Sequence, residues 1–303
     1  MPTINDIKIP DMTVTEELED RNKENMEIPA LDYFGSQLSF KEFFNEVDNY
    51  IKAFKKLGIK KDDVVTICMP GVPEFIISFY ALNKMGAVTN GVNINFLRSN
   101  LKRYTDEKKS DTLLIFDKFF PEIKEQIKDT KLKNVVFTSL FDYMPEELKQ
   151  KSDDLGDMKQ NGIELPKNKE FIRMNEFINV GKSDKTKVLG ESYDEDRESV
   201  YLYSSGTTGE PKCVVFKDYA VNALVNMHDE IKFNDAIGDR SLLIIPPYYA
   251  TSLMYAVNLQ LAKGKTLVLQ PIYNKETFAH ELRDLKINHT VAAMSHYATL
   301  VKS

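Results

Sequence analysis

The chain has 303 residues, 42% of them hydrophobic, enough to bury a core and to allow one large domain or two smaller ones. Its net charge of −6, with lysines interleaved among acids, argues against a nucleic-acid partner, so a bound anion has to be held by local geometry. Pro246, Pro247 and Ser252 interrupt the longest apolar run, well short of the roughly 18 to 20 residues that cross a bilayer; the first residues lack a signal-peptide pattern, and Cys68 and Cys213 have no zinc or disulfide spacing, so a cytoplasmic protein without a transmembrane segment is expected.

Residues 1 to about 30 read as polar and irregular, with a surface helix within Glu16 to Glu27. Ser39 is the expected N-cap of a helix in which Phe43, Phe44, Val47, Ile51, Phe54 and Leu57 recur at helical spacing until Gly58. A strand over Val64–Met69, a helix over Pro73–Met85 ended by Gly86, and a strand over Ala87–Val92 follow. A helix from Arg98 to about Lys108, a strand Thr112–Phe116, a helix around Pro121–Lys128 and a strand Asn134–Thr138 extend the alternation, which predicts an α/β fold with mostly parallel sheet flanked by helices.

Residues 140 to about 197 are rich in Lys, Asp, Glu, Asn and Gly and read as a connecting region with a short helix. A second series then predicts strands at 199–203, 213–216, 241–245, 266–269 and 289–293, with helices over 220–231, 253–262 and 275–285 and another near Tyr297. Two lobes are therefore expected, about 30–140 and about 198–303, joined by the linker. The four histidines, His228, His280, His289 and His296, have no metal-ligand spacing, and the metal ligands, like the oligomeric state, are left unassigned.

Between the first two strands of the second series lies Tyr203-Ser204-Ser205-Gly206-Thr207-Thr208-Gly209-Glu210-Pro211-Lys212. Glycines let a backbone approach a ligand so that successive N–H groups converge on one anion, hydroxyls add rotatable donors, and Lys212 brings a mobile positive charge. The loop reads as a phosphate cradle. A Walker A loop needs four residues between its glycines and Lys after the second, whereas Gly206 and Gly209 are three apart and Glu210 follows; no Gly-x-Gly-x-x-Gly occurs. The alternative is a flexible Ser/Gly turn.

The same ten residues resemble the phosphate-binding signature of the acyl-adenylate-forming (AMP-binding) superfamily, which includes acyl-CoA synthetases, with Cys213 where the pattern has glycine. Leu38–Phe43 and Ala81–Val88 are similar to weaker family segments, and Gly91, Asn93 and Ile94 stand where the family often reads Pro-x-Asn-Pro. Ile245–Ser252 resembles the segment beside the acyl group and α-phosphate, with Tyr249 in the usual histidine place; Tyr248 and Tyr249 are thus candidates for a substrate pocket, or simply pack under a strand end. The resemblance implies that Ser204, Ser205, Gly206, Thr207, Thr208, Gly209 and Lys212 bind the ATP phosphates. It also implies an acid–thiol ligase using ATP, Mg²⁺ and coenzyme A on a carboxylic acid, with a fatty or other apolar acid favoured. The family's adenine, ribose and magnesium segments and its distal catalytic lysine are not found in these residues. The chain is therefore expected to be a truncated N-terminal domain without the small C-terminal domain, with no catalytic residue of its own and inactive alone. An amino-acid or aryl-acid adenylating enzyme loading a carrier protein, and a non-catalytic nucleotide-binding module, stay open as alternatives.

Overall fold

The computed structural model describes residues 7–149, 168–204, 210–231 and 235–301. Its first helix, α1 (Val14–Asn22), begins at a capping box between Thr13 and Glu16. The expected surface helix is in fact packed inward, because Val14, Leu18 and even Glu17 are buried. The hairpin β1 (Pro29–Tyr33) and β2 (Ser36–Ser39) follows, turning at Phe34 and Gly35, both with positive φ. Two left-handed residues make the tight turn that suits the twist of paired strands. Sequence reasoning left this stretch without strands.

Ser39 caps α2 (Phe40–Lys56) as expected, exchanging hydrogen bonds with Glu42, and Gly58 leaves the helix at φ 87°. Then come β3 (Val64–Cys68), α3 (Pro73–Lys84), β4 (Val88–Gly91), α4 (Ile94–Thr105), β5 (Thr112–Phe116) and β6 (Asn134–Thr138). The supposed linker contributes a strand, β7 (Glu170–Arg173), before the helix Met174–Ser183. The chain continues through β8 (Glu198–Ser204), β9 (Lys212–Lys217), the helix Asp218–Asp229, β10 (Arg240–Leu243), a π-helical stretch Ser252–Asn258, β11 (Thr266–Leu269), the helix Phe278–Asp284, the two-residue strand β12 (His289–Thr290) and the helix Met294–Leu300.

These strands form two sheets. One has the order β7-β6-β5-β3-β4-β8-β9, parallel except for β9, and the other has the order β12-β10-β11-β1-β2, parallel except for β2. The sheets do not follow the two expected lobes. The hairpin β1–β2 joins the later strands through β11, and β8–β9 joins the earlier strands through β4. Chain order suggested otherwise because alternation reveals which segments are strands but not which neighbour each will pair with.

Burial on both faces explains the nearly continuous apolar strands. Leu114 and Val136 point into the large core between the sheets, whereas Leu113, Ile115, Val135 and Phe137 point outward beneath α4. In the other sheet Leu243, Leu267 and Leu269 face the shared core, and Leu242 and Val268 face Phe278. α2 and α3 fill the space between; α3 is buried from Pro73 to Asn83, as a helix apolar on every side has to be.

Candidate functional site

Ser204 ends β8 and Lys212 opens β9, and the two are cross-strand partners, as are Tyr203 and Cys213. The residues that bracket the expected phosphate loop are therefore the paired ends of two antiparallel strands at the sheet edge. Ser205, Gly206, Thr207, Thr208 and Gly209 lie outside the described residues. Ser204 and Lys212 are exposed, and the Lys212 side chain makes no hydrogen bond or ion pair with another described residue.

The root of this hairpin is fixed by buried polar chemistry. The Tyr203 hydroxyl donates to Asn90 Oδ1 at 2.9 Å, and Asn90 Nδ2 donates to Thr66 Oγ1 at 3.0 Å and to the Tyr104 carbonyl at 2.7 Å. Asn90 thus ties β8, β3 and α4 together from the middle of β4. Tyr203 also meets Tyr104 edge to face with ring centres 5.0 Å apart, while Phe96 stacks on Tyr104 at 5.8 Å. Burial raises the Tyr203 hydroxyl well above the ordinary tyrosine value, so it stays a donor. On the β9 side Glu210 pairs with Arg103 of α4.

β8 runs parallel to β4, so the loop leaves the sheet at its carboxyl edge, beside Gly91 and Asn93. Open α/β sheets bind ligands at such edges. The other sheet arrives at the same place. A Cβ on Gly91 would lie 2.9 Å from Leu202 Cδ2 and 3.5 Å from Tyr248 Cα, and one on Gly71 would lie 3.1 Å from Leu243 Cδ2. Both positions are bare backbone where the end of β10 closes onto β3 and β4. The Pro246–Tyr249 segment is braced from behind by Ser252, whose hydroxyl donates to the Ile245 carbonyl at 2.6 Å.

Tyr248 and Tyr249 differ in their surroundings. Tyr248 belongs to the core, and burial pushes its hydroxyl upward in pKa. Tyr249 is 41% exposed, and its oxygen accepts a hydrogen bond of 2.8 Å from Asn93 Nδ2. Asn93 Oδ1 in turn accepts from the Asn95 N–H, capping α4. With one lone pair engaged by Asn93, the Tyr249 hydroxyl proton is directed elsewhere.

Sequence reasoning missed the anchoring role of Asn90, though an amide inside an otherwise apolar strand was a readable signal. Among the described residues no group of three His, Cys, Asp or Glu could hold a metal ion. Ser204 offers a hydroxyl, Lys212 an amine and Tyr249 a phenol, groups whose chemistry suits phosphate or carboxylate oxygens. They do not suit Mg²⁺, since the nearby Glu210 is engaged by Arg103.

A family model described as AMP-binding enzyme matches residues 18–303. A long-chain-fatty-acid–CoA ligase of Bacillus subtilis (strain 168) is 21% identical over 272 residues, covering 89% of this chain and 48% of that protein. The chain thus spans about half the length of that relative. Among solved structures, the inhibitor-bound N-terminal domain of FACL13 from Mycobacterium tuberculosis superposes with a TM-score of 0.72 at 18% identity, covering 96% of this chain and 65% of that one. The anthranilate CoA ligase AuaEII in complex with anthranoyl-AMP gives 0.78 at 17% identity, covering 100% and 53%. At such identities the superpositions establish the fold, that of the N-terminal domains of adenylate-forming enzymes.

Proposed function

The chain belongs to the family of AMP-binding enzymes, and on that premise we propose that it is part of an acid–thiol ligase that activates a carboxylic acid with ATP and passes the acyl group to coenzyme A. In the first step a carboxylate oxygen attacks the α-phosphorus and pyrophosphate leaves; in the second a thiol attacks the acyl carbon and AMP leaves. Negative charge moves onto phosphate oxygens, which fixed N–H donors, hydroxyls and a lysine stabilise. The observation that carries the reading is the sequence Tyr203–Lys212, whose flanking strands β8 and β9 pair beside the edge where both sheets converge.

Ser204, Ser205, Gly206, Thr207, Thr208, Gly209 and Lys212 are the proposed phosphate ligands, and Tyr249 the proposed donor toward the α-phosphate or acyl oxygen. Mg²⁺, when bound, would neutralise phosphate charge, and no step is assigned to it. A fatty or other apolar acid is the proposed substrate class. In support, Ile245–Ser252 brings no charged side chain to the rim, and the Bacillus relative is named for long-chain fatty acids.

We further propose that the 303 residues alone do not complete the reaction. Carboxylate-dependent ATP–pyrophosphate exchange, run on this chain and on a protein that carries it in full length with decanoate, benzoate and the amino acids in turn, tests each part. Exchange with decanoate by the longer protein and none by the chain is expected. Robust exchange by the chain would overturn its incompleteness, and exchange driven by amino acids alone would overturn the substrate class.

A further inference from the structure

The helix Asp218–Asp229 has two contrasting faces. Asp218, Val221, Asn222 and Val225 recur at helical spacing and are buried, the two valines in the core shared by both sheets. On one flank Asn226 and Asp229 are bonded to Arg21 of α1, and Asn226 also donates to Glu17 Oε1 at 2.8 Å. A half-turn away from the valines lie Tyr219, Ala220, Ala223, Met227 and, in the turn that ends the helix, Ile231. Tyr219 is 53% exposed, Met227 37% and Ile231 55%. A helix on a protein surface ordinarily turns charged and polar residues to that side, and a contiguous apolar stripe there marks a surface for docking.

Size and charge along the stripe make it complementary to itself. Residues 219, 223, 227 and 231 are four apart and so lie in one row. When two copies meet antiparallel about a two-fold axis at Val225, Ala223 of each faces Met227 of the other, and Tyr219 faces Ile231, so that large side chains fill the space the alanines leave. The ends carry opposite charges, with Lys217 just before the helix and Glu230 just after it. Lys217 pairs with Asp196 at 2.7 Å, but the two side chains are 44% and 86% exposed, and solvent screens such a pair. Asp229 is already engaged by Arg21 and Lys263. An antiparallel pair brings Lys217 of each copy beside Glu230 of the other, whereas a parallel pair sets lysine against lysine and glutamate against glutamate. The helix dipoles favour the same antiparallel order.

We propose that this helix face is an interface between two copies of the chain, packed antiparallel through Tyr219, Ala223, Met227 and Ile231, with Lys217 and Glu230 closing each end. One helix against one helix makes a small contact, below the roughly 1,200 Å² typical of stable complexes, so the dimer is weak, with a dissociation constant on the order of 10 μM.

Analytical ultracentrifugation of this chain from about 1 to about 200 μM reads the association, and the weight-average mass is expected to climb from that of the monomer toward twice that value. Met227→Glu changes an exposed side chain and is expected to keep the circular dichroism of the wild type while weakening dimerisation at least tenfold, because it sets a charge in an apolar contact. Lys217→Glu and Glu230→Lys are each expected to weaken it about tenfold alone, and an equimolar mixture of the two to restore it, since only the mixed pair has opposite charges at both ends. A chain that keeps the monomer mass throughout overturns the proposal, as does a dimer that folded Met227→Glu leaves unchanged. A dimer indifferent to both charge reversals overturns the antiparallel order. If a longer protein that carries these residues stays monomeric while the chain dimerises, its further residues cover the face, which overturns the second copy as occupant.

Discussion

Replacing Asp218 by Ala is expected to destabilise the chain by about 3 to 5 kcal/mol, the cost of leaving a buried charge without its partner. The Asp218 side chain is fully buried and that of Arg197 is 2% exposed; Arg197 Nη2 contacts Asp218 Oδ2, while Arg197 Nη1 has no other hydrogen-bond partner. Asp218 Oδ1 also accepts from Asn83 Nδ2 at 2.6 Å, and the same amide nitrogen reaches Ser199 Oγ at 2.9 Å. Asn83 Oδ1 receives the Thr15 N–H at 2.9 Å. One carboxylate therefore connects α1, α3, β8 and the helix Asp218–Asp229, and its loss orphans a guanidinium and weakens a four-element junction. For a domain of this size that corresponds to a fall in Tm of roughly 6 to 10 °C. Urea unfolding followed by circular dichroism at pH 7 gives the free energy. The double variant Arg197→Met with Asp218→Leu separates charge from packing, because removing both ions costs far less than removing one, and it is expected to recover most of the loss. An Asp218→Ala variant within 1 kcal/mol of wild type, or a double variant no better than the single one, would refute the reasoning.

Gly181→Ala places a Cβ 1.9 Å from the Asn49 carbonyl oxygen, backbone against backbone, so the helix Met174–Ser183 must move away from α2; a loss of about 3 kcal/mol in urea unfolding is expected despite alanine's better helix propensity. In a double-mutant cycle of Asn93→Ala and Tyr249→Phe, a coupling of about 0.5 to 1.5 kcal/mol in unfolding free energy is expected from their hydrogen bond, and none if Tyr249 turns freely. Lys212→Met should leave the unfolding free energy within about 0.5 kcal/mol, since the side chain is exposed and no bond to a described residue is broken. In a longer protein that carries this chain, the proposed function predicts that the same change slows ATP–pyrophosphate exchange about a hundredfold, as removal of one charge-stabilising donor does elsewhere, and unchanged exchange would remove Lys212 from the proposed site.

How far the sequence was readable depends on how local each cause is. Ser39 with Glu42, the periodic phenylalanines of α2 and the glycines at 58 and 86 are local signals, and those elements stand within a residue or two of where they were expected. β7 was lost because Glu-Phe-Ile-Arg is a four-residue strand in a polar stretch whose pairing with β6 is a tertiary event. Ile245, expected within a strand, lies past the end of β10, since Pro246 and Pro247 restrict what precedes them. In the site, the Tyr203–Lys212 segment was legible by composition. The Asn90 anchor, the Asn93–Tyr249 bond and the bare contacts of Gly71 and Gly91 involve residues far apart in sequence, and spacing along one chain cannot report them.

The pairing of distant segments also holds the two strands that flank residues 205–209. β8 lies between β4 on one side and β9 on the other, so its two flanking ladders come from segments more than a hundred residues apart. β1 is likewise lodged between β11 and its own hairpin partner. Each sheet therefore needs strands from both halves of the chain, and the carboxyl edges that meet at Gly71, Gly91 and Tyr248 are brought together by the same exchange. Asn90, the tyrosine pair at 104 and 203 and the buried junction around Asp218 tie both strands to the rest of the fold, leaving Ser204 and Lys212 exposed at their ends. In the proposed reaction, hydroxyl, amine and phenol donors held by these strands would meet developing phosphate charge with little reorganisation.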